Sequence, residues 1–215
     1  GAGAGGPYTG SGAGNDNVFQ IDDSIPLDGS ASYDPDSVGA SSLTYFWDYA
    51  YDGVAFDADA SAESPTLDVS SAPIDNTPGT YTMALKVTDP DDASVYALDT
   101  LDYRVNAPPT ASFTHVPDDA YELQSVTYDA LIDEVITFDA SGSFDSDGTV
   151  ETYEWDFGDG TVAGPVTGNA ITHSYDSHGS YSVQLIVTDN DGKSSDPFTA
   201  TIDVPQRGEI DVTIQ

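Results

Sequence analysis

An internal repeat constrains the fold of this chain more than any other feature. Three blocks of the first half return in the same order in the second half. The paired blocks are residues 27–36 with 138–147, 43–48 with 151–156, and 79–89 with 179–189. Self-similarity of this kind is the sequence signature of a repeated structural unit. We therefore predict two copies of one domain of about 100 residues, the size of a single β-sandwich.

The third block alternates in the manner of a β-strand. Large side chains occupy every second position of this block in both copies. They are Tyr81, Met83, Leu85 and Val87 in the first copy, and Tyr181, Val183, Leu185 and Val187 in the second. A period of two places such a set on one face of a sheet. Short strands separated by turns rich in Asp, Gly, Ser and Pro predict an antiparallel β-sandwich.

Each copy carries one Trp in the middle of a predicted strand. Trp47 follows Tyr45, and Trp155 follows Tyr153, two residues earlier on the same face of the strand. A large aromatic side chain at this place predicts a core residue between two sheets, and an exposed binding platform is the alternative. The predicted fold class is all-β, with two tandem immunoglobulin-like antiparallel β-sandwiches.

Two adjacent prolines mark the predicted join. We place the first domain at residues 1–105 and the second at residues 106–215, which includes a short C-terminal extension. Pro108 and Pro109 each have a fixed φ and no amide N–H. They therefore predict a short, stiff connection between the two domains.

The charge balance restricts the partners of the chain. Its 38 acidic residues, most of them Asp, face only 4 Lys and Arg, which gives a formal net charge of −34. Nucleic acid is excluded as a partner because phosphate neutralisation requires Lys and Arg. Self-repulsion at this charge density predicts a saline or divalent-rich medium, such as a marine or halophilic one. No apolar run approaches the roughly 20 residues of a membrane span.

Several motifs of the second copy occur together in a known family. They are residues 155–160 (WDFGDG), 173–175 (HSY), 179–183 (GSYSV) and 187–192 (VTDNDG). With these motifs the second copy resembles a polycystic-kidney-disease (PKD) domain. The first copy resembles a divergent member, in which residues 47–53 (WDYAYDG) replace the compact turn. The resemblance implies a sandwich of about seven strands in extracellular proteins, with no catalytic activity of its own.

The resemblance also implies a Ca²⁺ site at one end of each sandwich. The implied ligands are Asn106, Ser143, Asp145, Asp147 and Asp189 in the second copy, and Ser32, Asp34, Asp36 and Asp89 in the first. In the first copy, Gly3 occupies the position of the linker Asn.

The residues themselves give an independent reason for this site. Asp145 and Asp147 can turn two carboxylates toward one point, and Asp189 ends a strand that can approach them. Ca²⁺ prefers such oxygen ligands. The alternative is that these side chains only cap turns.

A second acidic pattern occurs between the first Trp and the following strand. Its members are Asp48, Asp52, Gly53, Asp57 and Asp59, with a spacing that weakly resembles a calcium-binding EF-hand loop. Ala50 stands at the third position of this pattern, where an EF-hand has a ligand, and Asp59 stands in place of the final Glu. The pattern therefore predicts a separate cation site only weakly.

Catalytic motifs are not found in the sequence. The three histidines are His115, His173 and His178, and neither a Gly-x-Ser-x-Gly nor a His-Glu-x-x-His motif occurs. We predict packing as the role of His173, with a transition-metal site on His173 and His178 as the alternative. The sequence therefore predicts a protein that is not an enzyme.

Two functions remain open from the sequence. The first is a non-enzymatic structural, adhesion or spacer element, a calcium-stiffened rod in a surface layer, filament, adhesin or virion decoration. It would self-associate or bind other surface proteins. The second is an accessory module of a larger secreted hydrolase that binds polysaccharide or protein through exposed aromatics. The candidates for that contact are Tyr49, Tyr51 and Phe56. Both predict an extracellular or cell-surface location.

Overall fold

The computed structural model of the chain describes residues 17–34, 43–89, 92, 94–117 and 130–205. The chain divides into two compact units, Gly1–Ala107 and Pro108–Gln215. Within the described ranges the secondary structure consists of β-strands and turns, without an α-helix. The predicted all-β fold class is confirmed. The described part of the chain also lacks any helix long and apolar enough to cross a bilayer.

The first unit contains six described strands. They are β1 (Val18–Gln20), β2 (Ser24–Pro26), β3 (Thr44–Asp48), β4 (Thr66–Asp68), β5 (Gly79–Thr88) and β6 (Tyr96–Asn106). One sheet has the order β1-β6-β5-β3, and a second pairs β2 with β4. The β1–β6 pair is parallel and the other pairs are antiparallel.

The second unit contains seven described strands. They are β7 (Thr114–Pro117), β8 (Ile136–Asp139), β9 (Val150–Asp156), β10 (Val162–Val166), β11 (Ala170–His173), β12 (Gly179–Asp189) and β13 (Phe198–Val204). A four-stranded sheet has the order β10-β9-β12-β13, and a three-stranded sheet has the order β11-β8-β7. All of these pairs are antiparallel.

Each unit has its own hydrophobic core, and the Trp lies within it. Trp47 is 0% exposed and Trp155 is 2% exposed, so neither forms a binding platform. Around Trp47 pack Met83, Leu85 and Val87 of β5, and the corresponding residues of β12 pack around Trp155. The predicted role of both Trp residues as core residues is confirmed.

The internal repeat is preserved in the strand register. Trp47 pairs with Leu85 between β3 and β5, and Trp155 pairs with Leu185 between β9 and β12. Two residues earlier, the pairs are Tyr45 with Val87 and Tyr153 with Val187. Because a one-residue slip would turn every side chain to the other face, equal registers place equal residues in the two cores.

A tyrosine near the start of the central strand, β5 or β12, repeats as well. The Tyr81 hydroxyl donates to the Thr77 carbonyl oxygen at 2.8 Å, and the Tyr181 hydroxyl donates to the Ser177 carbonyl oxygen at 2.7 Å. In both cases the acceptor lies four residues earlier. This contact, similar to the tyrosine corner of immunoglobulin-like sandwiches, fixes the turn that leads into the central strand.

The two Trp residues differ in one hydrogen bond. Trp47 Nε1 donates to the Ala62 carbonyl oxygen at 2.9 Å. Trp155 Nε1 is buried and has no hydrogen-bond partner in the described structure. A buried N–H group without a partner costs free energy because it has lost its hydration.

Replacement of each Trp by Phe tests this difference. Both substitutions remove the same atoms from almost fully buried sites, so the transfer part of their costs is the same. Trp47→Phe also leaves the Ala62 carbonyl without its donor, whereas Trp155→Phe removes an unsatisfied donor. We expect Trp47→Phe to lower the free energy of unfolding by about 1–3 kcal/mol more than Trp155→Phe does, measured by urea titration. Equal losses, or a larger loss at Trp155, would contradict this account.

Candidate functional site

Two acidic loops of the second unit are held together by reciprocal hydrogen bonds. One loop joins β8 to β9, and the other joins β12 to β13. The Thr149 amide donates to Asn190 Oδ1 at 2.7 Å, and the Asn190 amide donates to the Thr149 carbonyl oxygen at 3.0 Å. The strand order of the sheet, in which β9 and β12 are neighbours, brings these loops to the same end.

Asp145 is the unusual residue of this loop pair. Its Oδ2 atom is buried without a hydrogen-bond partner in the described structure. Burial raises the pKa of the Asp145 carboxyl above its ordinary value, and the negative charges of Asp147 and Asp189 raise it further. The structure therefore brings three of the sequence-predicted ligands, Asp145, Asp147 and Asp189, within electrostatic reach of one another.

The space in front of the Asp145 carboxylate is kept open by a glycine. A Cβ atom added at Gly148 would lie 2.6 Å from Asp145 Oδ2 and would also clash with Asn190 Oδ1. Two side-chain oxygens thus approach the same point from two loops. Asn190 was not among the sequence-predicted ligands. Its position directly after Asp189 was the only signal that could have suggested it.

The turn-cap interpretation holds for part of this cluster. Asp189 is 2% exposed, and its Oδ1 atom accepts from the amides of Asp191 at 2.9 Å and Lys193 at 2.8 Å. Asp145 Oδ1 accepts from the Asp147 amide at 3.4 Å. One oxygen of Asp145 and one of Asp189 therefore cap backbone, which leaves the other oxygen of Asp145 buried without a hydrogen bond.

The remaining predicted ligands of the second copy have other contacts. Ser143 Oγ accepts from the Ser112 amide at 3.0 Å and donates to the Ser112 carbonyl oxygen at 2.9 Å. Asn106 ends β6 in the first unit, where its Oδ1 atom accepts from Arg104 at 3.0 Å. The side-chain Nδ2 atom of Asn106 donates to Gln20 Oε1 at 3.2 Å. These contacts hold the start of the second unit and the end of β6 in place.

The donor set fits Ca²⁺ in type, because the converging atoms are carboxylate and amide oxygens. The side-chain positions fit less closely. In the described ranges no three His, Cys, Asp or Glu side chains are already arranged to hold a metal ion. Binding at this cluster would therefore require its side chains to rearrange.

The predicted ligands of the first copy are only partly described. The Ser32 amide donates to the Gly29 carbonyl oxygen at 3.0 Å, and Asp89 Oδ1 accepts from the Asp92 amide at 3.2 Å. Asp34 is described and half-buried, whereas Asp36 lies outside the described residues. The predicted first calcium site stays a prediction.

The acidic pattern that weakly resembled an EF-hand loop caps backbone amides. Asp48 accepts from the amides of Ala50 at 3.1 Å and Asp57 at 2.9 Å, and Asp59 accepts from the Tyr49 amide at 2.7 Å. Burial raises the pKa of Asp59, and the charges of Asp48 and Asp57 add to this rise. These carboxylates give residues 49–59, which we call the first-copy loop, a defined shape.

The aromatic candidates of the first-copy loop separate into two groups. Tyr49 is 7% exposed, and its carbonyl oxygen accepts from the Tyr103 hydroxyl at 2.7 Å. It belongs to the core and is not available to a ligand. Tyr51 and Phe56 are half-buried, with ring centroids 6.2 Å apart. The loop therefore offers two aromatic side chains to a ligand instead of three.

His173 lies in a packed environment. Its ring stacks on Phe157 with centroids 4.1 Å apart, and its Nε2 atom lies 2.8 Å from Asp159 Oδ2. Burial alone would raise the pKa of Asp159, but hydrogen bonds from Thr161 and His173 lower it below its ordinary value. These contacts agree with the packing role.

Comparison with known proteins identifies the second unit. Residues 127–204 match the family model described as PKD domain. The chain is 45% identical over 62 residues to "Collagenase ColA" of Clostridium perfringens, a match that covers 29% of the chain but only 5% of the collagenase.

Two solved structures extend the comparison. The PKD1 domain of the Vibrio cholerae metalloprotease PrtV is 35% identical, with all of that domain and 46% of this chain covered and a TM-score of 0.34. A structure of carbohydrate-binding modules from the β-sandwich superfamily is 46% identical, with 47% of this chain and 36% of that chain covered and a TM-score of 0.40. The chain belongs to the PKD domain family, through its second unit.

Proposed function

We propose that this chain is a non-catalytic accessory module of a larger secreted hydrolase. The observation that carries the proposal is the 45% identity to a segment that makes up only 5% of a collagenase. A module that is so small a part of an enzyme, and whose fold is a non-catalytic sandwich, serves the enzyme by binding or spacing. The proposed location is extracellular.

This proposal favours the second of the two functions predicted from the sequence. The rod in a surface layer, filament, adhesin or virion rests on the repeat and on Pro108 and Pro109. The repeat is equally suited to an accessory module, because linking two binding modules raises the effective concentration of the second at the target. The similarity to segments of collagenases favours the accessory module of an enzyme over the rod.

The state of the protein in its native medium tests the proposal. An antiserum against the chain should detect, in the culture medium of the source organism, a polypeptide much larger than 22.5 kDa. We expect hydrolytic activity on gelatin or polysaccharide zymograms to co-purify with that polypeptide, whereas the isolated chain should be inactive. Antigen that remains on the cells in filaments or layers without hydrolase activity would contradict the proposal and support the rod.

We propose in addition that the second unit binds Ca²⁺. Asp145, Asp147 and Asp189 would supply carboxylate oxygens, and Asn190 Oδ1 would lie close to the same point. The buried Asp145 Oδ2 atom supports this assignment, since a cation would satisfy it and offset the repulsion among the three carboxylates. A bound cation would also fasten the two acidic loops to each other.

The substitution Asp145→Asn tests calcium binding, because its expected effect on the melting temperature differs between calcium-free buffer and millimolar calcium. In calcium-free buffer the variant should melt at the same temperature as the wild type or higher, because it removes a buried charge that Asp147 and Asp189 repel. In millimolar calcium the wild type should gain stability, by about 2.7 kcal/mol if calcium is at 100 times Kd. The variant should gain little beyond its response to NaCl of equal ionic strength. Differential scanning calorimetry measures both.

Asp139→Asn is the matched control. Asp139 Oδ1 caps the Ser141 amide at 2.8 Å, so this substitution should change the melting temperature equally in calcium and in NaCl. Equal melting temperatures of the wild type in the two salts would mean that these carboxylates act as turn caps only.

A further inference from the structure

The outward face of the first unit's larger sheet carries an unusual group of side chains. Phe46 on β3, Lys86 on β5 and Leu98 on β6 lie in one cross-strand row. Trp47 and Leu85, one position away, point into the core, so this row points away from it. Tyr96 lies two residues before Leu98 on β6, on the same face of the sheet, and pairs with Thr88 of β5.

Lys86 lies between two aromatic rings. Its Nζ atom is 4.7 Å from the ring centroid of Tyr96 and 5.6 Å from that of Phe56. No ion pair of Lys86 is found in the described structure. In a chain with 38 acidic residues, a lysine held by two rings instead of a carboxylate is unexpected. Its ammonium retains donors for another acceptor.

The first-copy loop brings Phe56 to this position. The Tyr51 amide donates to the Thr82 carbonyl oxygen at 2.8 Å, which fastens the loop to β5. Asp52 Oδ1 then accepts from the amides of Val54 at 2.8 Å and Ala55 at 2.9 Å, which defines the turn before Phe56. The ring is thus positioned by the loop before any ligand arrives, which lowers the entropic cost of binding.

Part of the group is accessible from solvent, whereas Phe46, Phe56 and Lys86 are half-buried. Tyr96 is 59% exposed and Leu98 is 41% exposed, and Val54 at the tip of the loop is 88% exposed. Contiguous exposed apolar side chains of this kind often mark an interaction surface. We call Phe46, Phe56, Lys86, Tyr96 and Leu98 the Lys86 face.

Charge determines which partner suits the Lys86 face. A polyanion would be repelled by the net charge of −34, and a second copy of the chain would bring the same charge with it. A cationic ligand would be repelled by the ammonium group of Lys86 at the centre of the face. An electrically neutral ligand avoids both kinds of electrostatic repulsion. To bind, it must offer oxygen acceptors to the ammonium group of Lys86 and apolar surface to the aromatic rings.

Two neutral polymers meet this description, and the geometry favours one of them. Proline-rich peptides insert into grooves between aromatic side chains. Here Lys86 itself fills the space between Phe56 and Tyr96. A pyranose chain needs no groove, because its C–H faces lie on the rings and its hydroxyl oxygens accept from the ammonium.

We propose that the Lys86 face binds a neutral polysaccharide. This inference rests on the proposed accessory role and names the ligand class for the first unit. Phe56 and Tyr96 supply the stacking surface, and Lys86 donates hydrogen bonds to sugar hydroxyls. The aliphatic stem of Lys86 adds to the apolar contact.

Affinity electrophoresis of the full chain tests the proposal. Native gels contain hydroxyethylcellulose, mixed-linkage β-glucan, xyloglucan or galactomannan, and carboxymethylcellulose is the anionic comparison. We expect at least one neutral polymer to retard the wild type. The Phe56→Ala/Tyr96→Ala variant should bind about tenfold more weakly. Lys86→Met, which keeps the stem but loses the donors, should bind about fivefold more weakly.

Phe144→Ala is the matched control. Phe144 is an aromatic residue of the second unit that is 57% exposed, close to the 59% of Tyr96. Its removal should leave the retardation unchanged. Far-ultraviolet circular dichroism and the melting temperature of each variant establish that it is folded.

Three outcomes would overturn the proposal. They are a wild type that no neutral polymer retards, retardation that persists in the double variant, and retardation by carboxymethylcellulose alone. A (Pro-Pro-Gly)10 peptide is titrated by calorimetry in parallel. Binding of that peptide without binding of any polysaccharide would assign the face to a protein ligand and also overturn the proposal. The accessory role would survive each of these results, because it depends on the larger secreted polypeptide.

Discussion

The packing of one tryptophan between two sheets is the interaction on which each unit depends. Trp47 lies opposite Leu85 and Trp155 lies opposite Leu185, and both indoles are almost completely buried. Fixing this pair fixes the register of the central strands, since a slip by one residue would expose the whole apolar face. The outward positions are then fixed too. Lys86 and the loops at the strand ends take their places because the inward residues cannot move.

The acidic residues must be accommodated around this core with very few positively charged residues in the chain. Many of them accept backbone N–H groups at turns, as Asp48 and Asp59 do, and this gives loops a defined shape in a chain that has only 4 Lys and Arg. Asp145 differs from these turn caps, because one of its oxygens is buried without a hydrogen bond, as is one oxygen of Glu134 in the described part of the chain. A carboxylate in that state raises the energy of the folded chain unless a cation satisfies it. Turn capping and the proposed calcium binding are thus two uses of the same residue type.

The repeat and the alternation of β5 and β12 were sufficient to predict the fold class, the two cores and the place of both Trp residues. The burial of Tyr49 was not predictable, because it depends on Tyr103 reaching its carbonyl oxygen from β6. Asn190 was missed since its side chain meets Thr149 only when two distant loops are joined. The pairing of Lys86 with Phe56 and Tyr96 likewise depends on a loop that closes over the outer face of the sheet.

We conclude that the divergent first unit is built around the same central strand as the PKD domain that follows it. Amide hydrogen exchange, resolved by residue, tests this claim most directly. The slowest-exchanging amides should lie on β5 around Leu85 in the first unit and on β12 around Leu185 in the second, in matching order along the two strands. Exchange of the β5 amides at the rate of an unfolded chain, while β12 remains protected, would contradict it.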